Sequence, residues 1–249
     1  MSLVSIILPY YKKINFFTAT YKSIINQSYQ NYELIIVYDD EDDFDLKKIK
    51  KITLKNPKVK IICNKKNLGA GLSRNIGIKN SKGKLVAFID ADDLWNKNKI
   101  RDQIEFIKKL NCKFVSCDYI KNYKNKTIKV NSKYKITYWD LIKSCSIGLS
   151  TVMVKKEIID NKLFSNLKTQ EDFSAWLKIM RKNKISCYNL EKTLVIWNHD
   201  NNSLSSNFIQ KIKDAFNVFR IKEKFSLIDS LFYLFVLSFN SLKRKFKFN

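Results

Sequence analysis

Phe88-Ile89-Asp90-Ala91-Asp92-Asp93-Leu94-Trp95 joins an apolar run that begins at Leu85 to three carboxylates. A short apolar run bounded by polar residues reads as a buried strand. Carboxylates at its end sit where a parallel sheet opens its ligand crevice. Three acids so close repel one another unless a cation neutralises them, and hard oxygen ligands suit Mg²⁺ or Mn²⁺. The competing reading is a solvated loop in which Asp93 caps a helix beginning near Asn96.

Upstream of this stretch the pattern alternates. Strands are expected at residues 4–8, 32–37 and 59–63, with helices at 16–25, 46–54 and 69–78. Strands alternating with helices argue for right-handed βαβ units around a mostly parallel sheet, an α/β, doubly wound, nucleotide-binding layout. Downstream the expected order is a helix at 95–110, a strand at 113–117 and a basic hairpin over 118–135 turning near Asn125. A short helix at 138–144 and a strand at 150–154 follow. An amphipathic helix then begins at Glu171 and carries Phe173, Trp176, Leu177 and Met180, before a strand at 194–197 and a helix at 207–222. With no repeat, no linker, two prolines and five glycines, the chain reads as a single domain in two halves, 1–110 and 111–206, with a C-terminal helical extension over 207–249.

Composition narrows the class. The 249 residues can bury a sizeable core, and 45% apolar content with 13% aromatics excludes a largely disordered chain. The net charge of +24 invites a basic nucleic-acid-binding protein as an alternative. Against it, only five of 47 basic residues are Arg, the side chain suited to bidentate phosphate contacts, and the lysines are spread along the chain. That spread reads as drift toward A/T-rich codons, so no nucleic-acid partner is expected. An anionic membrane surface would still attract such a protein. Five cysteines without metal-ligand spacing, three of them in apolar contexts, point to a reducing, cytoplasmic compartment, and no signal peptide is expected before the strand at Val4.

The extension is apolar without interruption over 231–237, with Lys222 and Lys224 before the run and Lys243, Arg244, Lys245 and Lys247 after it. A bilayer span needs about 20 apolar residues. This run is shorter and Asp229 lies just before it, so it reads as a helix in the membrane interface or as one packed on the domain or against the partner in a homodimer.

Taken in order, VSIILPYY (residues 4–11), Asp39-Asp40, Asn67-Leu68-Gly69-Ala70-Gly71-Leu72-Ser73-Arg74-Asn75-Ile76-Gly77 and Asp90-Ala91-Asp92-Asp93 closely resemble the family 2 glycosyltransferases of the GT-A fold. The resemblance covers about residues 3–206. The glycine segment could pass for a dinucleotide fingerprint, but Arg74 stands at its third glycine and it follows the third strand, which argues against a Rossmann dehydrogenase. A sugar nucleotidyltransferase would carry an early glycine-rich loop, and Pro9-Tyr10-Tyr11-Lys12-Lys13 has no glycine.

The resemblance implies roles. Residues 1–110 become the nucleotide-sugar half and 111–206 the acceptor half. Pro9, Tyr11, Asp39, Arg74 and Asp90 would bind the nucleotide, with Asp39 accepting the uracil N3–H and Asp90 holding the ribose hydroxyls. The family's usual Gly-Ser after the paired Asp is replaced here by Glu41-Asp42. Asp92 would ligate Mn²⁺ or Mg²⁺ at the diphosphate, with Asp93 in support. Read without the family, Asp39 and Asp40 are a solvated turn and Arg74 is a helix-surface charge.

Gln170-Glu171-Asp172 resembles the family's acidic pair, in which Asp172 is the base that deprotonates the acceptor and Glu171 supports it. A capping box from Thr169 to Asp172 is the competing account. His199, the lone histidine, stands in what resembles the family's late loop and is either a further metal ligand or incidental. Together these imply a metal-dependent, inverting glycosyltransferase using a nucleotide-diphosphate sugar donor, UDP-linked by resemblance. The acceptor would be a glycan or lipid-linked glycan in bacterial surface-polysaccharide synthesis, with the enzyme peripheral on the inner face of the cytoplasmic membrane. A non-catalytic glycosyltransferase-like partner subunit is the alternative.

Overall fold

A computed structural model describes residues 2–123, 126–198 and 207–247. The first part alternates as the pattern requires: β1 (Val4–Tyr10), α1 (Ile14–Ile25), β2 (Tyr32–Tyr38), α2 (Phe44–Thr53), β3 (Val59–Cys63), α3 (Ala70–Asn80) and β4 (Leu85–Phe88). These four strands pair in parallel in the order β3-β2-β1-β4. Every residue of β1 is buried, as expected of a strand covered on both faces. Its alternation divides the core. Val4, Ile6, Leu8 and Tyr10 face α1, α2 and the later helix at 99–110, whereas Ile7 joins Phe88, Phe173 and Trp176 on the other side.

The rest extends the same sheet. In order come β5 (Leu94–Trp95), α4 (Lys99–Leu110), β6 (Phe114–Tyr123), β7 (Lys126–Val130), β8 (Lys135–Ile136), α5 (Tyr138–Ser144), β9 (Met153–Lys155), α6 (Glu171–Asn183), β10 (Cys187–Asn198), α7 (Phe208–Asn217) and α8 (Leu227–Lys247). Among the described residues the sheet path is β3-β2-β1-β4-β9-β6-β10-β5, with β7 on β6 and β8 on β10. β6 and β10 pair in parallel, and β9 is antiparallel to both of its neighbours. The sheet runs unbroken across residue 110.

Several expected boundaries move for tertiary reasons. Trp95 does not open a helix. It pairs with Val195 of β10, and its amide donates to Ser23 Oγ, so α4 begins only at Lys99. Residues 149–151 form a 3₁₀ turn ahead of a shorter β9. The expected strand at 194–197 is the end of the twelve-residue β10. The expected helix at 207–222 closes in a π turn over Val218–Lys222. The hairpin forms as β6 and β7, while its turn near Asn125 lies outside the described residues. None of the five cysteines is in a disulfide, and Cys112, Cys117 and Cys187 are buried.

Candidate active site

β1 lies between β2 and β4, so the chain leaves its carboxyl end at the point where the strand order reverses, the place where open α/β sheets bind ligands. The two sides of that crevice meet in an ion pair: Lys13 Nζ, just after β1, lies 3.0 Å from Asp92 Oδ2, just after β4. Pro9 is buried in β1, and Tyr11, past the strand end, is 46% exposed. The carboxylate turn is pinned by Thr20 Oγ1, which donates to the Ala91 carbonyl at 2.9 Å.

The three acids have different surroundings. Asp93 is buried, accepting from the Ser150 hydroxyl and from the Asn198 amide at 3.2 Å. Burial, then the charges of Asp90 and Asp92, hold its carboxyl well above the usual range. Asp93 therefore ties the turn to the 3₁₀ segment and to the end of β10, and it caps no helix. Asp92 keeps a partly exposed carboxylate. Burial and then the Asp90 charge raise its pKa, while Lys13 opposes them. Excess negative charge on a partly exposed carboxylate fits a divalent cation. Among the described residues no three of His, Cys, Asp or Glu converge into a protein-only cage. His199 lies outside the described residues.

Asp39 sits at the end of β2, 2% exposed. Its Oδ1 accepts from Asn64 Nδ2 at 2.7 Å and from the Leu68 amide at 2.8 Å, and its Oδ2 accepts from the Gly69 amide at 2.8 Å. The carboxylate thus shapes the loop that opens α3, and only the second lone pair of Oδ2 is left for a ligand. Gly69 turns that loop at φ +87°, a conformation that glycine adopts without strain. Gly71 lets α3 approach closely, because a Cβ there would stand 2.7 Å from the Ser165 carbonyl oxygen and 3.3 Å from Glu171 Cγ.

Arg74, on α3, is not a surface charge. It is 3% exposed, and its two terminal nitrogens reach Asp90 Oδ1 at 2.7 Å and Glu171 Oε1 at 2.8 Å. One guanidinium therefore joins the strand-end acids to the first turn of α6. The planar fork serves two carboxylates at once, which an ammonium cannot do in the same way. Asp172 is next in the chain. Burial first, and then the Glu171 charge, push its carboxyl up to about 7, with Arg74 pulling in the opposite direction. A carboxyl with its pKa near neutrality has the proton affinity that general-base chemistry at pH 7 uses.

The capping-box reading of Thr169 fails. The residue preceding α6 is Gln170, in the left-handed region at φ 62°, with no side-chain cap, and Thr169 donates its hydroxyl to Asp214 of α7 at 2.9 Å. Sequence reasoning missed Lys13, Ser150 and Asp214. No local pattern marks them, since each partner lies tens of residues away in the chain.

The profile of Glycosyl transferase family 2 matches residues 5–177. The chain is 28% identical over 246 residues to a putative teichuronic acid biosynthesis glycosyltransferase, TuaG, of Bacillus subtilis, covering 98% of this chain and 97% of that protein. It is 32% identical over 217 residues to the Escherichia coli UDP-Glc:alpha-D-GlcNAc-diphosphoundecaprenol beta-1,3-glucosyltransferase WfgD, covering 87% and 85%. Among solved structures, S. aureus TarS 1-349 in complex with UDP-GlcNAc superposes with a TM-score of 0.73 at 22% identity, over 88% of this chain and 65% of that one. A Pyrobaculum calidifontis mannosyltransferase in complex with GDP-Man and Mn²⁺ superposes with a TM-score of 0.71 at 13% identity, over 97% and 73%.

Proposed function

Because the chain belongs to glycosyl transferase family 2 and is a glycosyltransferase of the GT-A fold, we propose that it moves a sugar from a UDP-sugar to a hydroxyl of a lipid-linked glycan, with inversion. The observation that carries this reading is the Arg74 bridge, which gathers the strand-end acids and the Asp172 helix around one guanidinium. Asp172 takes the proton of the acceptor hydroxyl, whose oxygen attacks the anomeric carbon from the face opposite the leaving diphosphate. The new glycosidic bond forms as the bond to the diphosphate oxygen breaks, and no covalent enzyme intermediate arises. Asp90 holds the ribose, and Tyr11 and Asp39 frame the base. Asp92 would hold a divalent ion, which when bound offsets charge on the departing diphosphate. The UDP-linked donor is supported by the UDP-glucose named for WfgD and the UDP-GlcNAc held by TarS. The lipid-linked acceptor is supported by the diphosphoundecaprenol in the name of WfgD.

The test is thermal stabilisation by UDP, GDP, dTDP and CDP, with and without Mn²⁺. A ligand that binds only the folded state raises Tm, by about 2.7 kcal/mol of stability at one hundred times its Kd. UDP with Mn²⁺ should give the largest shift, and Asp92→Ala should erase the Mn²⁺-dependent part of it. A shift that is the same with and without metal in both proteins refutes the role given to Asp92.

The extension supplies the membrane side of the proposal. No helix among the described residues is long and apolar enough to cross a bilayer. α8 docks by Ser230, Tyr233, Leu234 and Leu237, while Ile228, Leu231, Phe232, Phe235, Phe239 and Leu242 stay 47–80% exposed on its other side. A helix apolar on both sides needs a second partner. Exposed Lys222, Lys224 and Lys243 flank the stripe, on a chain of net charge +24. That balance favours an anionic bilayer and disfavours a second, equally basic copy. Phe235→Glu with Phe239→Glu should abolish flotation with phosphatidylglycerol vesicles at unchanged Tm. Flotation equal to wild type, or loss of a dimer in its place, would contradict the assignment.

A further inference from the structure

We propose that Asp214, on α7, is a positioning residue for the catalytic base. It rests on the reading of Asp172 as that base. Asp214 lies 37 residues beyond the end of the family profile at 177, in the segment that reads from sequence as an appended helix. Its side chain is nevertheless 3% exposed and turned toward the loop ahead of α6. Oδ2 accepts from both the amide and the hydroxyl of Thr169, each at 2.9 Å, and Oδ1 accepts from Gln210 Nε2 at 3.0 Å. Among the described residues it meets these three donors and no cation, so Thr169 supplies the two donors that come from outside its own helix.

What Asp214 holds is a strained link. Gln170, between Thr169 and Glu171, stands at φ 62°, ψ 13°. A non-glycine residue keeps that conformation only where its surroundings fix it, and such strain gathers at functional sites. The αL turn at Gln170 sets the direction in which α6 starts, and hence where Glu171 meets Arg74 and where Asp172 projects. Thr169 is fixed on one side by Asp214, and Glu171 on the other by Arg74 at 2.8 Å. Ser165, earlier in the same loop, and Glu171 itself lie close against α3, where a Cβ at Gly71 would meet the Ser165 carbonyl oxygen and Glu171 Cγ. Asp214 is assigned no contact with substrate in this proposal. It acts through Thr169 on the geometry of the residue three positions later.

The test compares Asp214→Ala, Asp214→Asn and Thr169→Val in the full chain. Turnover is read as UDP release from UDP-glucose with a GlcNAc-diphospholipid acceptor, and UDP binding is measured separately. Hydrogen exchange of amides 169–175 reads the loop itself. Asp214→Ala should lower kcat by about 10- to 100-fold, with the Kd for UDP and the acceptor KM within threefold. It should also speed exchange at 169–175 with the sheet amides unchanged. Asp214→Asn can still present one oxygen to both Thr169 donors and should recover most of the loss. Thr169→Val removes one bond of the pair and should fall between.

A kcat within twofold of wild type in Asp214→Ala overturns the proposal, as does an equal fall in kcat and UDP affinity. If Asp214→Ala does not fold, Thr169→Val decides: turnover and loop exchange like wild type mean that Asp214 serves only the packing of α7. If wild type releases no UDP from any UDP-sugar, the UDP-donor reading fails. The exchange arm then still reports whether Asp214 fixes the loop.

Discussion

Asp172→Asn is expected to cut sugar transfer by about 10²–10⁴-fold, the usual contribution of a positioned general base, while UDP affinity stays within about threefold. The same change should make the protein more stable at alkaline pH. Burial and Glu171 raise the Asp172 carboxyl to about 7 in the folded protein, whereas an unfolded Asp titrates near 3.9. The folded state therefore keeps a proton that the unfolded chain has released across that interval. Stability from this proton is complete below the unfolded pKa and is lost as pH rises through about 7. Each unit of such a shift corresponds to about 1.4 kcal/mol. Asn carries no such penalty, so the Tm of Asp172→Asn should exceed wild type by several degrees at pH 8, and the gap should close toward pH 4. Activity runs the other way in wild type, with kcat falling as pH drops through about 7 and the base is protonated. Because Glu171 and Asp172 interact, that limb reports the pair as a unit. Near-normal turnover in Asp172→Asn, or a kcat flat from pH 6 to 8, would move the base elsewhere.

The part of this site that could be read from sequence is the part encoded locally. Strand-then-acid patterns at Asp39 and at Asp90 to Asp93 are carried by neighbours in the chain, as are the glycines that open α3, and these fall where the alternation of strands and helices places them. What could not be read is who meets whom. Lys13 is one of many lysines, yet it is the one that reaches Asp92. Ser150 binds Asp93 from 57 residues away, and Asp214 binds Thr169 from 45. Trp95 has good helical neighbours downstream, and its strand exists only because Val195 lies beside it. The apolar run at 231–237 was plain in the sequence, but its two sides are told apart only by the docking of Tyr233 and Leu237 against the core. For Arg74 and Asp39 the resemblance supplied the neighbourhood of a nucleotide. The structure adds that both side chains are engaged by protein atoms, Arg74 by two acids and Asp39 by three donors.

Arg74→Met should be the most destabilising single substitution in the site, and it should change the pH at which the enzyme works. Methionine fills a similar volume without charge, so Asp90 and Glu171 would lose their shared cation inside a group that already holds Asp92, Asp93 and Asp172. Breaking one partner out of a buried ion pair costs about 3–5 kcal/mol, against about 0–1 kcal/mol for an exposed pair. Arg101, 47% exposed and 3.5 Å from Asp102, supplies the matched surface control, and Arg101→Met should be close to neutral in urea unfolding. The second effect follows from the sign of the Arg74 charge on Asp172, which lowers the pKa of that carboxyl. With the charge removed, the base becomes harder to ionise, so less of it is active at pH 7. The acid limb of kcat should therefore move upward, and residual activity should rise toward pH 9, where wild type has levelled off. Arg74→Lys keeps the charge but loses the fork that spans two carboxylates. It should restore the acid limb more fully than the stability, because the field on Asp172 needs only a positive charge nearby whereas the bridge needs both nitrogens. An Arg74→Met protein as stable as Arg101→Met would mean that the bridge carries no net stability. An unmoved acid limb in Arg74→Met would separate Arg74 from the base altogether.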